Sequence, residues 1–403
     1  MIKISKDKDL INKFLTRGVE AIYPSKKELE KKLLSGERLR IYQGFDPTGK
    51  YLHVGHAMGI RALSILQQLG HEVIFLVGDY TAKVGDPDKD TGREMLSDKQ
   101  IAENLKGWKE QAAQLIDFEG ENPVRFERNY QWLSKLKPND LIELMSKMTV
   151  QQMLERDMFD RRIKEGDPVG LHEFIYPLMQ GYDGVAMEVD MEIGGADQTF
   201  NMLKGRDLVK SYLNKEKFVR ANKMMDAPDG RTMSKTKGNG INLGDSSEDM
   251  YGKAMSYPDN LITMGLELLT EVPMNAIKEI DKNIKKGENP MQYKKMMAFE
   301  IVKTIRGEEE AIKAQRYFED TVQKKAIPDE IEVKKMKAGA YSLIDIMVET
   351  GLAASKGEAR RLITQGGVKV DGKKVNDIEA YVEVSDSETL IQKGKRGFMK
   401  IKS

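Results

Sequence analysis

Residues 39–56, LRIYQGFDPTGKYLHVGH, decide the fold. A short apolar strand, LRIYQG, runs into a turn-rich loop and then into helical spacing around Ile60 to Leu69. A second apolar strand, EVIFLVGD, starts at Glu72. This β–loop–α–β order predicts a parallel sheet in an α/β domain, with ligands bound beyond the C-terminal ends of the strands.

Two imidazoles of this stretch, His53 and His56, sit three residues apart with Gly55 between them. On the first turn of a helix they project from one side, where the helix N-terminus also favours anions. Donors aimed there stabilise negative charge developing on a phosphate. The alternative reading is a surface or metal-binding pair, but a histidine metal site wants a third partner and only His71 and His172 remain. Gly44 to Lys50 fits the first seven positions of a P-loop, yet Tyr51 stands where Ser or Thr would hold magnesium. No G-x-G-x-x-G follows a strand, so a dinucleotide-dependent oxidoreductase has no support.

Outward from this stretch, the chain of 403 residues is long enough for two to three domains. Without cysteine it has no disulfide, thiolate nucleophile, iron–sulfur cluster or Cys-based zinc site. Lys+Arg 65 against Asp+Glu 64 leaves a net charge of +1, so a nucleic acid would have to be met locally. The charged start MIKISKDKDL lacks the apolar core of a signal peptide, and no apolar run reaches membrane length. A cytoplasmic protein with no membrane partner is expected.

Residues 1 to about 35 carry helical spacing and predict an amphipathic N-terminal segment. Helical spacing returns over Asp98 to Ile116 and Asp140 to Met158, and a further strand is expected within Val185 to Ile193. The Gly-bounded loop DGRTMSKTKGNG near 230 carries Ser234 and Lys235, a natural clamp for polyphosphate or else a solvated basic loop. From about 250 the texture is helical, as in NPMQYKKMMAFEIV. The expected division is 1–245, a helical domain over 246–326, a linker over 327–340 and a last unit over 341–403. In that unit Lys356, Arg360 and Arg361 share one face of a short helix, which suits phosphate contacts or a plain solvated surface.

LHVGH and MSKT resemble the HIGH and KMSKS signatures of class I aminoacyl-tRNA synthetases. IYQGFDPTGKYLHVGH, VGDYTAKVGDP, YPLMQGYDG and IGGADQTFN are similar, in that order, to the pattern of bacterial tyrosyl-tRNA synthetases. NPMQYKKMMAFEIV resembles that family's anticodon-side domain, and SLIDIMVETGLAASKGEARRLITQGGVKVDGKKV resembles an S4 RNA-binding domain. The resemblance implies a Rossmann-like parallel-sheet catalytic domain, a small helical domain and a C-terminal α+β S4-type unit. It implies activation of tyrosine by ATP and transfer to tRNA(Tyr), with ATP as a substrate accompanied by Mg2+, no tightly bound cofactor, no protein-held metal and a homodimer joined around 125 to 160.

It also implies site residues. His53, His56, Thr48, Ser234 and Lys235 would serve catalysis. Asp46, Gly55, Asp197, Met233 and Lys235 would meet ATP. Tyr42 and Asp183 would meet the tyrosine hydroxyl, while Asp86, Tyr176, Gln180 and Gln198 would hold the rest of the amino acid. Lys356, Arg360 and Arg361 would contact tRNA. Two positions depart from the pattern: Thr232 stands for the first lysine of KMSKS, with Arg231, Lys223 or Lys237 as candidates to replace it, and Glu192 stands where many members carry glutamine. A tryptophanyl enzyme would lack the Tyr42 and Asp183 pair and the S4 tail. A silent RNA-binding paralogue would have no need of the retained site residues.

Overall fold

Arg40–Phe45 forms the strand at the heart of the molecule because its apolar residues are buried on both faces, as a parallel strand covered by helices requires. In the computed structural model, which describes residues 2–87, 95–225, 240–323, 331–394 and 397–403, this strand is β2 of a six-stranded sheet. The others are β1 (Val19–Tyr23), β3 (Glu72–Val77), β4 (Arg125–Arg128), β5 (Met191–Gly195) and β6 (Phe218–Asn222), in the order β1-β6-β5-β2-β3-β4. All neighbours are parallel except β1, which runs antiparallel on the edge. Strand order reverses between β2 and β5, so a crevice opens beyond their C-termini.

The N-terminal segment is two helices, Lys8–Thr16 and Lys26–Leu34, with β1 between them. Helical spacing alone hid that strand, whose five residues follow Gly18 in the left-handed region at φ 62°. Charge hid β4, written RFER, and the mixed FVRAN of β6; only pairing with apolar neighbours makes them strands. The expected strand within 185–193 is later than its apolar run, because Val185 and Ala186 close the helix Tyr176–Ala186. The expected helix over 98–116 is broken into Asp98–Leu105 and Trp108–Ala112 at Gly107, itself left-handed at φ 77°.

The chain divides into two compact units, Met1–Ala314 and Gln315–Ser403. Within the first, the helices after residue 246 are tied to the sheet layer by arginines. Arg17 donates to the carbonyls of Leu266, Glu267, Thr270 and Val272, and Arg61 to those of Leu268 and Thr270. These close the C-terminal end of the helix Ile262–Leu269, whose last carbonyls have no partner within the helix.

The second unit has a five-stranded sheet in the order β10-β9-β12-β13-β7 and a β8–β11 pair. The strands are β7 (Val333–Lys335), β8 (Gly339–Ser342), β9 (Val368–Val370), β10 (Lys373–Val375), β11 (Tyr381–Val384), β12 (Thr389–Lys393) and β13 (Gly397–Lys402). The helices Leu343–Glu349 and Lys356–Thr364 bury Leu343, Ile346, Ala359 and Ile363 with Val368 and Ile391, giving this unit its own core. Among the described residues no helix is long and apolar enough to cross a membrane.

His71, at the start of β3, is 1% exposed and accepts the Leu39 N–H on Nδ1. Burial, aided by the Arg38 guanidinium, lowers its pKa to about 4. The unfolded chain then binds a proton near pH 6.5 that the folded chain refuses, so the stability difference is lost as pH falls from about 6.5 to 4. Relative to His71→Asn, the protein should lose on the order of 3 kcal/mol of stability between pH 7 and pH 4, measured by denaturant unfolding at the two pH values.

Candidate active site

The helix Val54–Gln68 begins where the β2 crevice opens, and its histidines build its first turn. His53 is the N-cap: its Nδ1 accepts the Gly55 N–H at 3.1 Å, while His56 Nδ1 accepts the His53 N–H at 3.0 Å. An imidazole accepting on Nδ1 carries its proton on Nε2 when neutral, so capping sets both rings as Nε2–H donors. The rings lie 3.8 Å apart between centroids. A Cβ on Gly55 would come within 2.8 Å of the His53 ring, so glycine is what lets that ring fold back over the turn.

Beyond β2, Asp46 accepts from Thr81 Oγ1 at 2.8 Å and from the Tyr176 hydroxyl at 2.9 Å. Glycine at 78 is required here, because a Cβ would overlap Asp46 Oδ1. Thr81 in turn accepts from Asn129 Nδ2 at 3.1 Å. Asn129, fully buried after β4, also donates to Asp183 Oδ2 at 3.2 Å, and Trp132 Nε1 donates to Asp183 Oδ1 at 2.7 Å. Burial pushes the Asp183 carboxyl well above the usual carboxylate range; the Trp132 and Asn129 donors pull it back, and the Glu192 and Asp46 carboxylates push it further up.

A second chain of hydrogen bonds runs along the other wall. Arg156 pairs with Asp86 at 2.8 Å, and Asp86 accepts from Gln198 Nε2 at 2.6 Å. Gln198 also donates to Asp197 at 3.1 Å. Asn201 bridges Gln198 and Gln180, donating to each side-chain oxygen at 3.0 Å, and Gln180 donates to Glu192 at 3.0 Å. Tyr42, fully buried on β2, has its hydroxyl 3.5 Å from the Gln180 carbonyl; burial first, then the Glu192 and Asp183 carboxylates, push its pKa well up.

Tyr42, Asp46, Asp86, Tyr176, Gln180, Asp183, Asp197 and Gln198 are thus joined through two polar chains on the C-terminal side of the sheet. Thr48 lies in the loop between β2 and the histidine helix, its N–H on the Asp46 carbonyl. Thr232, Met233, Ser234 and Lys235, with Arg231 and Lys237, fall outside the described residues. In the second unit Lys356, Arg360 and Arg361 are all exposed on the helix Lys356–Thr364, with Lys356 2.7 Å from Asp345.

Sequence reading missed Asn129, Trp132, Arg156 and Asn201. Asn201 closes the quoted segment IGGADQTFN, so its neighbours were a signal. The others sit in helical or charged stretches with nothing to mark them. Among the described residues no group of three or more His, Asp or Glu side chains could hold a metal ion.

The family model for class I tRNA synthetases of the W and Y type matches residues 34–323, and that for the tyrosine–tRNA ligase SYY-like C-terminal domain matches 323–401. The tyrosine–tRNA ligase of Thermotoga maritima is 42% identical over 394 residues, 96% of each chain. That of Carboxydothermus hydrogenoformans is 40% identical over 400 residues, again 96% of each. Among solved structures, a C-terminally truncated mitochondrial tyrosyl-tRNA synthetase of Coccidioides posadasii aligns with a TM-score of 0.62 at 25% identity, covering 76% of this chain and 91% of its own. The Archaeoglobus fulgidus enzyme complexed with L-tyrosine shares the fold at TM-score 0.60 and 22% identity, covering 77% of this chain and 100% of its own.

Asn129 serves three partners at once, since its Oδ1 also accepts the Tyr80 N–H at 2.9 Å. Asn129→Ala strips a part-buried N–H, a buried hydroxyl and a buried carboxylate of partners together. It should cost about 3 kcal/mol of stability, read from denaturant unfolding at pH 7.

Proposed function

The chain belongs to the tyrosine–tRNA ligases of the class I synthetases, and we propose that the two polar chains described above form its tyrosine and adenylate pocket. The enzyme activates L-tyrosine with ATP and transfers it to the terminal ribose of tRNA(Tyr). The observation that carries the pocket assignment is the pair of hydrogen-bonded chains, one linking Asp183 through Asn129 and Thr81 to Asp46 and Tyr176, the other linking Tyr42 and Gln180 through Asn201 to Gln198 and Asp86.

In the first step a tyrosine carboxylate oxygen attacks the α-phosphorus, a C–O–P anhydride forms and the bond to pyrophosphate breaks. The nucleophile is already ionised, so the site has to position and to stabilise charge rather than supply a base. His53 and His56, as Nε2–H donors, suit the charge that builds on the phosphates, and Gly55 would admit the adenine. Thr48 and Asp46 lie along the path between amino acid and nucleotide, and Asp197 takes the ribose. By their motif, Met233, Ser234 and Lys235 are assigned to the nucleotide and its β- and γ-phosphates. ATP enters as its Mg2+ complex, a substrate and not a resident group.

Recognition of tyrosine over phenylalanine turns on one hydroxyl. Tyr42 and Asp183 meet it, and phenylalanine forgoes the hydrogen bonds that the hydroxyl adds there while still covering those buried groups from water. Asp86, held by Arg156, takes the ammonium with Tyr176 and Gln180, and Gln198 lies on the carboxylate side.

The helical stretch 246–326 faces the anticodon side and 341–403 grips tRNA through Lys356, Arg360 and Arg361. The Lys356–Asp345 pair is exposed and gives little stability, so the lysine can exchange to a phosphate. The apolar side chains of Ile142, Met145 and Val150, exposed on the region around 125 to 160, support a homodimer joined there. A cytoplasmic site of action follows from the substrates, ATP and tRNA.

The test is amino-acid-dependent pyrophosphate exchange, expected with tyrosine. Tyr42→Phe and Asp183→Asn should each lower the tyrosine/phenylalanine ratio of kcat/KM by roughly ten- to a hundredfold while leaving the KM for ATP near wild type. An unchanged ratio in both variants rejects the pocket. Deleting residues 341–403 should spare pyrophosphate exchange and strongly weaken tRNA charging; full charging by the shortened chain rejects the tail as a tRNA-binding unit.

A further inference from the structure

Lys217 and Glu192 form an ion pair sealed from water, with side chains 0% and 3% exposed. Four elements of the sheet layer meet in it. Lys217 immediately precedes β6 and donates to Glu192 Oε2, while Glu192 stands on β5. Glu192 Oε1 accepts from Gln180 on the helix Tyr176–Ala186, whose Gln180 carbonyl faces the Tyr42 hydroxyl of β2, and the Glu192 carboxylate is near enough to that hydroxyl to push its pKa up. The ammonium stands 5.9 Å from the centroid of the Tyr42 ring.

The space for that ammonium is built by glycines. A Cβ on Gly205 would come within 2.7 Å of Lys217 Nζ and 3.1 Å of Gly181 Cα, and one on Gly184 within 3.6 Å of Nζ. The helices Tyr176–Ala186 and Thr199–Leu213 therefore pass each other at residues without side chains, and the tip of Lys217 occupies part of the gap.

Desolvating two charges costs about as much as their attraction returns, so an apolar pair would serve packing equally well. What the charged pair adds is an acceptor fixed between two side chains of the pocket. We infer that Glu192 and Lys217 are positioning residues for tyrosine recognition: Glu192 orients the Tyr42 hydroxyl and the Gln180 amide, and Lys217 balances that carboxylate in the apolar interior. Neither touches substrate. The inference rests on the assignment of Tyr42 and Gln180 to the tyrosine pocket, and it accounts for glutamate at a position where glutamine would need no counter-charge.

The experiment is steady-state pyrophosphate exchange with tyrosine and with phenylalanine on the full chain, comparing Lys217→Met, Glu192→Gln, their combination, Tyr42→Phe and Asp183→Asn. Each single change leaves one buried charge unpaired. It should raise the KM for tyrosine by about tenfold or more and lower the tyrosine/phenylalanine ratio, with the KM for ATP unchanged. The combined variant carries neither charge and should recover most of the tyrosine KM and of the ratio. A pair that serves only packing would lower the unfolding temperature while leaving the tyrosine KM and the ratio at wild type, and that result overturns the inference. So does a combined variant whose defects are the sum of the two singles. If Lys217→Met does not fold, the tyrosine KM and ratio of Glu192→Gln decide alone. An unchanged ratio in both Tyr42→Phe and Asp183→Asn would instead reject the pocket assignment, which separates the two failures.

Discussion

A carboxyl group held in an apolar interior by two donors is the constraint on which this structure turns. Asp183 is 3% exposed, and Trp132 and Asn129 supply the hydrogen bonds that water would otherwise make. Because Asn129 also holds Thr81, Thr81 holds Asp46 and Asp46 takes Tyr176, this requirement fixes four segments against each other: those after β2, β3 and β4, and the helix Tyr176–Ala186. Each such bond adds only about 1 kcal/mol net, but a buried group left without a partner costs more, so the chain of bonds holds together or fails together.

The opposite wall carries two buried ion pairs. Arg156 answers Asp86 and Lys217 answers Glu192, while Gln198, Asn201 and Gln180 connect the two pairs by hydrogen bonds between side chains. Rigid polar groups of this kind suit a reaction whose nucleophile needs no deprotonation. The catalytic work is to place a carboxylate, a phosphate and a leaving group, and preorganised groups do this with little reorganisation in the transition state. The histidine helix follows the same logic. Its own capping consumes one nitrogen of each ring and so decides which nitrogen donates.

The stretch from Leu39 to His56 was legible because its signals are local. Apolar residues in a run make a buried parallel strand, Pro47 and Gly49 end it, and histidine at the cap and third positions satisfies the orphan N–H groups of the helix that follows. The candidate residues Tyr42, Asp46, Asp86, Tyr176, Gln180, Asp183, Asp197 and Gln198 could be named because they sit in short ordered motifs. The tail's helices and later strands carry a readable apolar pattern, but its compact unit begins at Gln315 and takes Met336, β7 and the start of β8 from the stretch 327–340 expected to be a linker.

Three kinds of feature stayed out of reach. The strands β1, β4 and β6 are short or charged, and become strands only through pairing across the sheet. Asn129, Trp132 and Arg156 are ordinary residues in sequence; each matters because the fold brings it to a buried carboxylate, 54, 51 and 70 positions away respectively. Glu192 read as a departure from pattern, and Lys217, 25 residues on, had no reading at all until the helices crossing at Gly181 and Gly205 left space for its ammonium. Sequence alone determined β2, β3 and the helix between them, the ordered motifs and the family, since periodicity, capping and ordered motifs act over a few positions. Only the tertiary structure decided which buried charge is answered by which partner, because desolvation acts on groups that are close in space however far apart they stand in the chain.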